Sequence, residues 1–217
     1  MESLAFIPDR NAPAPLESAA SEQHADLPAR PAIVWLTGLS GAGKSTLATA
    51  LEAELQGAGV SAVVLDGDTI RAGLSRDLGF SAEDRKENVR RTGEAALLVA
   101  ASGAVAIVAL ISPFRDARRE VAERAQARGI SFAEVFVNAA LSECERRDPK
   151  SLYRRARAGE IRNVTGIDSP YEAPLAPNLE LRSDVETVGQ STEKLTHFTL
   201  ALVRPNRHAS SSLREDS

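Results

Sequence analysis

Four apolar runs lie in the central part of the chain, and segments with helical spacing separate them. The runs cover residues 32–37, 60–66, 105–111 and 132–137. Their apolar positions are continuous rather than alternating, which is typical of strands buried on both faces of a parallel sheet. Strands that alternate with helices form right-handed βαβ units, so the pattern predicts a three-layer α/β fold with a mostly parallel sheet.

The helical segments carry recognisable start and stop signals. The first has leucine spacing from Leu47 to Leu55 and ends at a pair of glycines. The second begins at a capping-box pattern, Ser81 with Asp84, and runs to about Ser102. The remaining predicted elements are an amphipathic helix at 114–128, a short strand at 179–181 and a closing helix at 188–203.

The composition is that of one folded domain between two polar ends. The chain has 217 residues, 43% of them apolar, which suffices for one sizeable core and is too few for two comfortable domains. Residues 1–31 are rich in proline and alanine, and residues 204–217 are rich in serine. Such segments bury too little surface to offset chain entropy, so we predict disordered tails at 1–31 and 204–217 around a domain at 32–203.

Charge, hydropathy and cysteine content exclude several classes of protein. The formal net charge of −4 argues against a general nucleic-acid-binding protein, so any phosphate binding must be local. No apolar run reaches the roughly 18 residues of a membrane span, and the N-terminus lacks the features of a secretory signal. The single cysteine, Cys144, cannot form an intrachain disulfide. We therefore expect a cytoplasmic protein without nucleic-acid or membrane partners.

A glycine-rich loop between the first strand and the first helix carries the strongest chemical signal. It matches the pattern G-x-x-x-x-G-K-[ST] with the residues Gly38, Leu39, Ser40, Gly41, Ala42, Gly43, Lys44, Ser45 and Thr46. Backbone amides and the helix N-terminus of such a loop bind a polyphosphate. Lys44 can reach the β- and γ-phosphates, and the Ser45 hydroxyl can bind magnesium. The loop predicts a site for a nucleoside triphosphate and Mg²⁺.

A pair of carboxylates follows the second strand. Among the four long strands, only this one ends in acids, Asp66 and Asp68. An extended backbone would direct both side chains the same way. One could hold magnesium while the other accepts the proton of an acceptor hydroxyl, and spacing does not decide which. We predict Lys44, Asp66 and Asp68 as catalytic residues, with Ser45 and Asp66 as metal ligands; a surface turn is the alternative.

Two further groups of residues fit an anionic second substrate. Arg71, Phe80, Arg85 and Asn88 would offer guanidinium groups beside an aromatic ring, which suits an anion that carries a flat ring. A solvated charged helix face explains the basic residues equally well. Seven cations between positions 146 and 162 suggest a mobile lid over the transferred phosphoryl group, at about 146–177. A helix with a basic outer face is the alternative.

These residues together resemble the adenylylsulfate (APS) kinase family over about residues 31–205. The resemblance rests on the phosphate loop and on five further groups of residues in the family's order. They are Leu65-Asp66-Gly67-Asp68 with Arg71; Leu78-Gly79-Phe80-Ser81 with Asp84-Arg85 and Glu87-Asn88; Ile111-Ser112-Pro113 with Arg115; Arg147-Asp148-Pro149-Lys150; and Thr165-Gly166-Ile167-Asp168 with Pro170-Tyr171-Glu172. The resemblance implies a P-loop kinase fold and transfer of the ATP γ-phosphoryl group to the 3′-hydroxyl of adenosine 5′-phosphosulfate (APS).

The resemblance also implies roles for individual residues. Arg71, Arg85 and Asn88 would hold the phosphosulfate and ribose of APS, and Phe80 would stack on its adenine. Ile111 and Ser112 would line the pocket, and Lys150 would belong to the lid. In some relatives the serine at the position of Ser112 has been discussed as phosphorylated, but direct transfer needs no such intermediate.

The chain departs from the family pattern at two positions in the lid. Ser151 stands where relatives often carry glycine, which would stiffen a hinge. Val164 stands where many carry a phenylalanine that covers the adenine of APS, so we expect Val164 to bind the substrate with a weaker grip.

Three alternatives and two partner predictions complete the interpretation. The residues alone also allow a kinase for another small acceptor, such as a sugar acid or nucleoside monophosphate, or a non-catalytic ATP-binding regulatory module. A kinase domain that works beside ATP sulfurylase is the third reading. The family resemblance implies a homodimer, and any association with ATP sulfurylase would be noncovalent.

Overall fold

The computed structural model describes residues 30–204, which form one parallel sheet with helices on both faces. The strands are β1 (Ala32–Thr37), β2 (Ala62–Asp66), β3 (Val105–Ala109), β4 (Ser131–Asn138) and β5 (Leu179–Arg182). The helices are α1 (Lys44–Gly57), α2 (Gly67–Ala72), α3 (Ala82–Ala101), α4 (Arg115–Ala127), α5 (Leu141–Arg147), α6 (Leu152–Arg157) and α7 (Val188–Val203).

The sheet has the strand order β2-β3-β1-β4-β5, and every neighbouring pair is parallel. Strand β1 lies at the centre with all six residues buried. Its alternate side chains face opposite ways: Val34 and Leu36 pack beneath α1 and α7, while Ile33 and Trp35 pack beneath α3 and α4. The three-layer α/β prediction is therefore confirmed, and the sheet is wholly parallel in the part described.

Three short helices depart from the predicted element pattern. Helices α2, α5 and α6 have six or seven residues each, too few to show an apolar period in the sequence. Helix α2 begins directly after β2 because the Asp66 side chain accepts a hydrogen bond from the Asp68 amide and caps the helix. The extended backbone expected at Asp66–Asp68 is therefore wrong, and the two carboxylates do not share one direction by strand geometry.

The domain edges also differ slightly from the prediction. Arg30 donates its amide to Val203 O at 2.8 Å, and Pro31 O accepts from the Ser131 amide at 3.1 Å. The Arg204 amide donates to Leu200 O at 3.1 Å. These three residues, which we assigned to the tails, are bonded to the domain; the rest of both predicted tails lies outside the described residues. Within 30–204, no helix combines the length and apolar character that a membrane crossing requires.

The carboxyl ends of the strands meet at one edge of the sheet, as parallel pairing requires. There β1 leads into the phosphate loop, β2 into Asp66, and β3 into Ile111 and Ser112. In open α/β sheets, ligands bind in the crevice at this edge. The fold therefore brings the three predicted groups of site residues together.

Helix α3 carries predicted acceptor residues, and its position depends on a close approach to α4 at Gly93. A Cβ atom added at Gly93 would lie 2.6 Å from Val121 Cγ2, which is closer than any stable contact. Val121 is buried and, as a β-branched residue in a helix, has little rotamer freedom to move away.

We expect Gly93→Ala to lower the free energy of unfolding by about 1 kcal/mol, although alanine favours helices, because overpacking outweighs propensity. In a Val121→Ala background the same change should stabilise, since the clash is gone. Gly189→Ala in α7, where the added atom meets open space, is the matched control and should stabilise by about 0.5–1 kcal/mol. Denaturant unfolding measures the free energy of unfolding of Gly93→Ala, Val121→Ala, the double variant and Gly189→Ala. A stabilised Gly93→Ala single variant would contradict the close-packing argument.

Candidate active site

A cleft of about 780 Å³ opens at the carboxyl edge of the sheet. It brings together most of the residues that the sequence predicted for the site. Those lining it are Ser40, Gly41, Ala42, Gly43, Lys44, Ser45, Thr46, Asp66, Asp68, Arg71, Phe80, Arg85, Asn88, Ile111, Ser112 and Lys150. Gly38, Leu39 and Val164 do not line it.

The phosphate loop needs its glycines because its backbone packs against neighbouring backbone. A Cβ atom at Gly38 would overlap the carbonyl oxygen of Val137, and one at Gly41 would lie 3.0 Å from Cys144 O. Gly43 has φ 98° and precedes the first residue of α1 without any side-chain cap. The amides at the start of α1 are therefore available to an anion, as in other helix N-terminal phosphate sites.

Lys44 is held inside the loop. Its side chain is 8% exposed, and Nζ donates to Gly38 O at 3.0 Å and to Leu39 O at 2.7 Å. Burial lowers the pKa of Lys44 to about 8, because the charged ammonium is removed from water. A polyphosphate would stabilise this ammonium far better than two carbonyl oxygens do.

Ser45 and Asp66 form a pair of oxygen ligands beside Lys44. Ser45 Oγ donates to Asp66 Oδ2 at 2.6 Å, and Asp66 Oδ1 accepts from the Asp68 amide at 2.9 Å. Hydroxyl and carboxylate oxygens suit Mg²⁺, which commonly completes its shell with phosphate oxygens and water. Within residues 30–204, no three histidine, cysteine or acidic side chains form a metal cluster. The pair would fit a Mg²⁺ ion that takes its remaining ligands from phosphate oxygens and water.

Asp68 occupies a different environment from Asp66. Its side chain is 67% exposed at the cleft and forms an ion pair with Lys150 of the lid segment. Asp66, by contrast, is bonded to the phosphate loop through Ser45. The geometry separates the two acids: Asp66 faces the loop, and Asp68 faces the lid.

The predicted acceptor residues form one cluster. The Arg71 and Arg85 guanidinium carbons lie 4.4 and 5.7 Å from the centre of the Phe80 ring, which is 58% exposed. Arg85 is buried, and its Nε donates to Phe80 O at 3.0 Å while its other arm donates to Asn163 O. Burial lowers the pKa of both arginines, chiefly by desolvation.

The alternative of a solvated charged helix face applies to only part of α3. Asn88 is buried, and among the residues 30–204 its Oδ1 has no hydrogen-bond partner. Arg90 and Arg91, by contrast, form ion pairs with Glu87 outside the cleft. Arg85 and Asn88 thus turn inward and line the cleft, and the Asn88 oxygen is buried without a hydrogen-bond partner among the described residues.

The loop after β3 forms the back wall of the cleft. Ser112 is buried with φ 40°, a left-handed conformation that is strained for serine. The Trp35 Nε1–H donates to Ser112 Oγ at 3.0 Å, and Thr37 Oγ1 donates to Ile111 O at 2.8 Å. The Ser112 hydroxyl is therefore part of a buried hydrogen-bond network.

The segment predicted as a lid divides its cations between two surfaces. Arg147 and Lys150 line the cleft, whereas the other five cations of the group are exposed on the outside. Several of the outer arginines form ion pairs with Glu143, Glu145 and Glu160. The alternative of a basic outer face thus describes five of the seven cations, and only Arg147 and Lys150 face the cleft.

Two departures from the family pattern have structural consequences. Ser151 has φ 54°, the left-handed region in which glycine is favoured, so the serine is strained there. Val164 is only 8% exposed and packs in the core cluster beneath α1 and α7. The Asp168 carboxylate accepts hydrogen bonds from the amides of Asn163 and Val164 and fixes this turn. Val164 therefore does not line the cleft in this structure, and its contact with the substrate stays a prediction.

Sequence reasoning missed a clamp on the far side of the phosphate loop. Arg147 donates to Gly41 O at 3.2 Å and to Ser183 O at 2.6 Å. Ser183 Oγ in turn donates to Ala42 O at 2.7 Å. Ser183 directly follows β5, so its place at the carboxyl end of a parallel strand was the signal that could have found it.

The fold and the site together define a kinase of the P-loop class. The family model for adenylylsulphate kinase matches residues 30–182, and the chain belongs to this family. An adenylyl-sulfate kinase of Picosynechococcus sp. is 52% identical over 162 residues, which cover 75% of this chain and 89% of the relative. A probable adenylyl-sulfate kinase of Bacillus subtilis is 58% identical over 151 residues, 70% of this chain and 76% of the relative.

A solved structure agrees with these relatives. The Mycobacterium tuberculosis APS kinase CysC, in complex with AMPPNP and APS, superposes with a TM-score of 0.77 at 46% identity. The match covers 79% of this chain and 99% of that one. The solved structure therefore supports both the family assignment and the fold described above.

We expect Ser183→Ala to weaken ATP binding about 3- to 10-fold, because one lost hydrogen bond of about 0.5–1.5 kcal/mol loosens the loop backbone at Ala42. Titration calorimetry with a non-hydrolysable ATP analogue measures the effect. Ser102→Ala is the matched control, since its hydroxyl also bonds a carbonyl at 2.7 Å but on an exposed helix end. Equal affinities in both variants would contradict the clamp.

Proposed function

We propose that this protein is an ATP-dependent APS kinase, which transfers the γ-phosphoryl group of ATP to the 3′-hydroxyl of APS. The products are 3′-phosphoadenosine 5′-phosphosulfate and ADP. The observation that carries the proposal is the junction, in one cleft, of the phosphate loop with the cluster of Arg71, Phe80, Arg85 and Asn88.

The ATP end of the cleft is built around Lys44. The loop amides and the Lys44 ammonium bind the β- and γ-phosphates. Ser45 and Asp66 would hold Mg²⁺, which when bound neutralises charge on the phosphates. Arg147 and Val188 line the cleft beyond the loop and leave room for the nucleoside.

The acceptor end is built around the Phe80 ring. Its exposed surface suits the adenine of APS, and the Arg71 and Arg85 guanidinium groups suit the phosphosulfate. Asn88 lines the same end of the cleft, where its side-chain amide would hydrogen-bond a ribose hydroxyl. Ile111 and Ser112 close the back of the pocket.

Asp68 is the residue we assign to the acceptor hydroxyl. Its carboxylate takes the 3′-hydroxyl proton as the new P–O bond forms and the bond between the β- and γ-phosphoryl groups breaks, releasing ADP. Lys150, its ion-pair partner on the lid segment, is released towards the transferred phosphoryl group in the same step. Asp66 remains with Ser45 at the magnesium.

Other acceptors and assemblies are distinguished by direct measurement. ADP release over a panel of hydroxyl compounds separates APS from a sugar acid or a nucleoside monophosphate, and binding without turnover would indicate a regulatory module. A homodimer, a noncovalent complex with ATP sulfurylase and a cytoplasmic location stay predictions. Light scattering on the pure protein, with and without the sulfurylase, tests the first two.

We expect Lys44→Ala to lower kcat by about 10²–10³-fold, because the ammonium stabilises charge that develops on the transferred phosphoryl group. Product formation from ATP, Mg²⁺ and APS measures this loss, and a thermal unfolding curve confirms that the variant is folded. Turnover within a few-fold of the unmodified protein would contradict the assigned role.

We expect Arg85→Ala to raise the KM for APS about 10- to 100-fold, because charge-assisted hydrogen bonds of about 1.5–3 kcal/mol are lost. The KM for ATP should change little. Arg90→Ala removes an arginine from the same helix outside the cleft and is the matched control. A parallel rise of both KM values would show that Arg85 does not act on the acceptor.

A further inference from the structure

One buried arginine has no place in the function described so far. The Arg118 side chain is 2% exposed, on the face of α4 that packs against the sheet. A buried charge is unfavourable unless its hydrogen-bonding groups are paired. Its partners therefore indicate which parts of the molecule it holds.

The guanidinium group of Arg118 joins three separate segments. Its Nε pairs with the carboxylate of Glu134 on β4. One terminal nitrogen donates to Ser112 O at 2.6 Å, and the other donates to Glu172 O at 2.9 Å. The charge is thus balanced by Glu134, while the two remaining arms hold backbone carbonyls near the cleft.

Ser112 lines the acceptor pocket, and Glu172 is bonded to the loop that follows it. Ser112 lies in the strained back wall, and the Arg118 bond is one of the contacts that hold its left-handed conformation. Glu172 lies where the lid segment returns to the domain, and its amide donates to Pro113 O at 2.8 Å. Its carboxylate also accepts from the Arg115 amide at 2.8 Å. Arg118 therefore holds the place where the back wall, at Ser112, contacts the end of the lid segment, at Glu172.

We propose that Arg118 is a positioning residue for the acceptor: it holds the Ser112 and Glu172 carbonyls so that the back wall and the lid return keep one arrangement around APS. The inference rests on the proposed function, since it assigns the back wall to APS. Arg118 itself does not line the cleft. Its effect should therefore fall on the acceptor and spare the phosphate loop, which it does not contact.

The test compares Arg118→Met and Arg118→Lys with Arg119→Met. Arg119 is the neighbouring arginine on α4, 73% exposed and outside the cleft, so it is the matched control. KM and kcat are measured with APS varied at saturating ATP, and then with ATP varied at saturating APS. Thermal unfolding of each variant separates loss of stability from loss of positioning.

Arg118→Met should raise the KM for APS at least about 10-fold, with the KM for ATP changed less than about 2-fold. Arg118→Lys should give an intermediate KM for APS, because a single ammonium group cannot reach partners in three segments as the planar guanidinium group does. Arg119→Met should match the unmodified protein in both KM values.

Two results would overturn the inference while leaving the proposed function intact. One is a lowered melting temperature with an unchanged KM for APS; the other is a parallel rise of both KM values. If Arg118→Met does not fold, an unchanged KM for APS in Arg118→Lys overturns the inference as well. An unmodified protein that fails to phosphorylate APS would overturn the function and the positioning role together.

Discussion

The main chain of the phosphate loop lies directly against the main chain of β4 and α5, with no side chain between them. This contact folds the loop around Lys44 and leaves the first amides of α1 facing the cleft. The other parts of the site are arranged around the loop. Ser45 orients Asp66, the Tyr153 hydroxyl fixes α6 to the carbonyl of Ser40 at 2.9 Å, and Ser183 ties the end of β5 to Ala42.

The cations of the site all have oxygen partners within the protein. Lys44 bonds loop carbonyls, Arg85 bonds the carbonyls of Phe80 and Asn163, and Lys150 pairs with Asp68. Substrate anions must compete with these partners, and the net gain from each contact is smaller than its strength in isolation. The same competition would link substrate binding to the segment predicted as a lid, because Asn163 and Lys150 belong to it.

Strong periodicity and one specific motif made much of this structure predictable. The four long strands were predicted from continuous apolar runs, the long helices from apolar residues at helical spacing, and the phosphate loop from its sequence motif. The direction of Asp68 was not predictable, because helix α2 depends on a single cap formed by Asp66. The burial of Val164 was not predictable, because the turn that Asp168 fixes is a tertiary feature without a periodic signal. Ser183 and Arg118 act through backbone carbonyls of distant segments. The place of Ser183 after β5 was a signal in the sequence, but the partners of both residues leave no trace in local spacing.

The position of Trp35 has a consequence of another kind. It is the chain's single tryptophan, it is wholly buried, and its indole N–H is bonded to the hydroxyl of Ser112 on the back wall of the acceptor pocket. The tryptophan fluorescence of the protein therefore originates at one point, immediately behind the wall that Ser112 forms. The chain carries its own optical probe of that wall, and emission from the indole can follow acceptor binding without any added label.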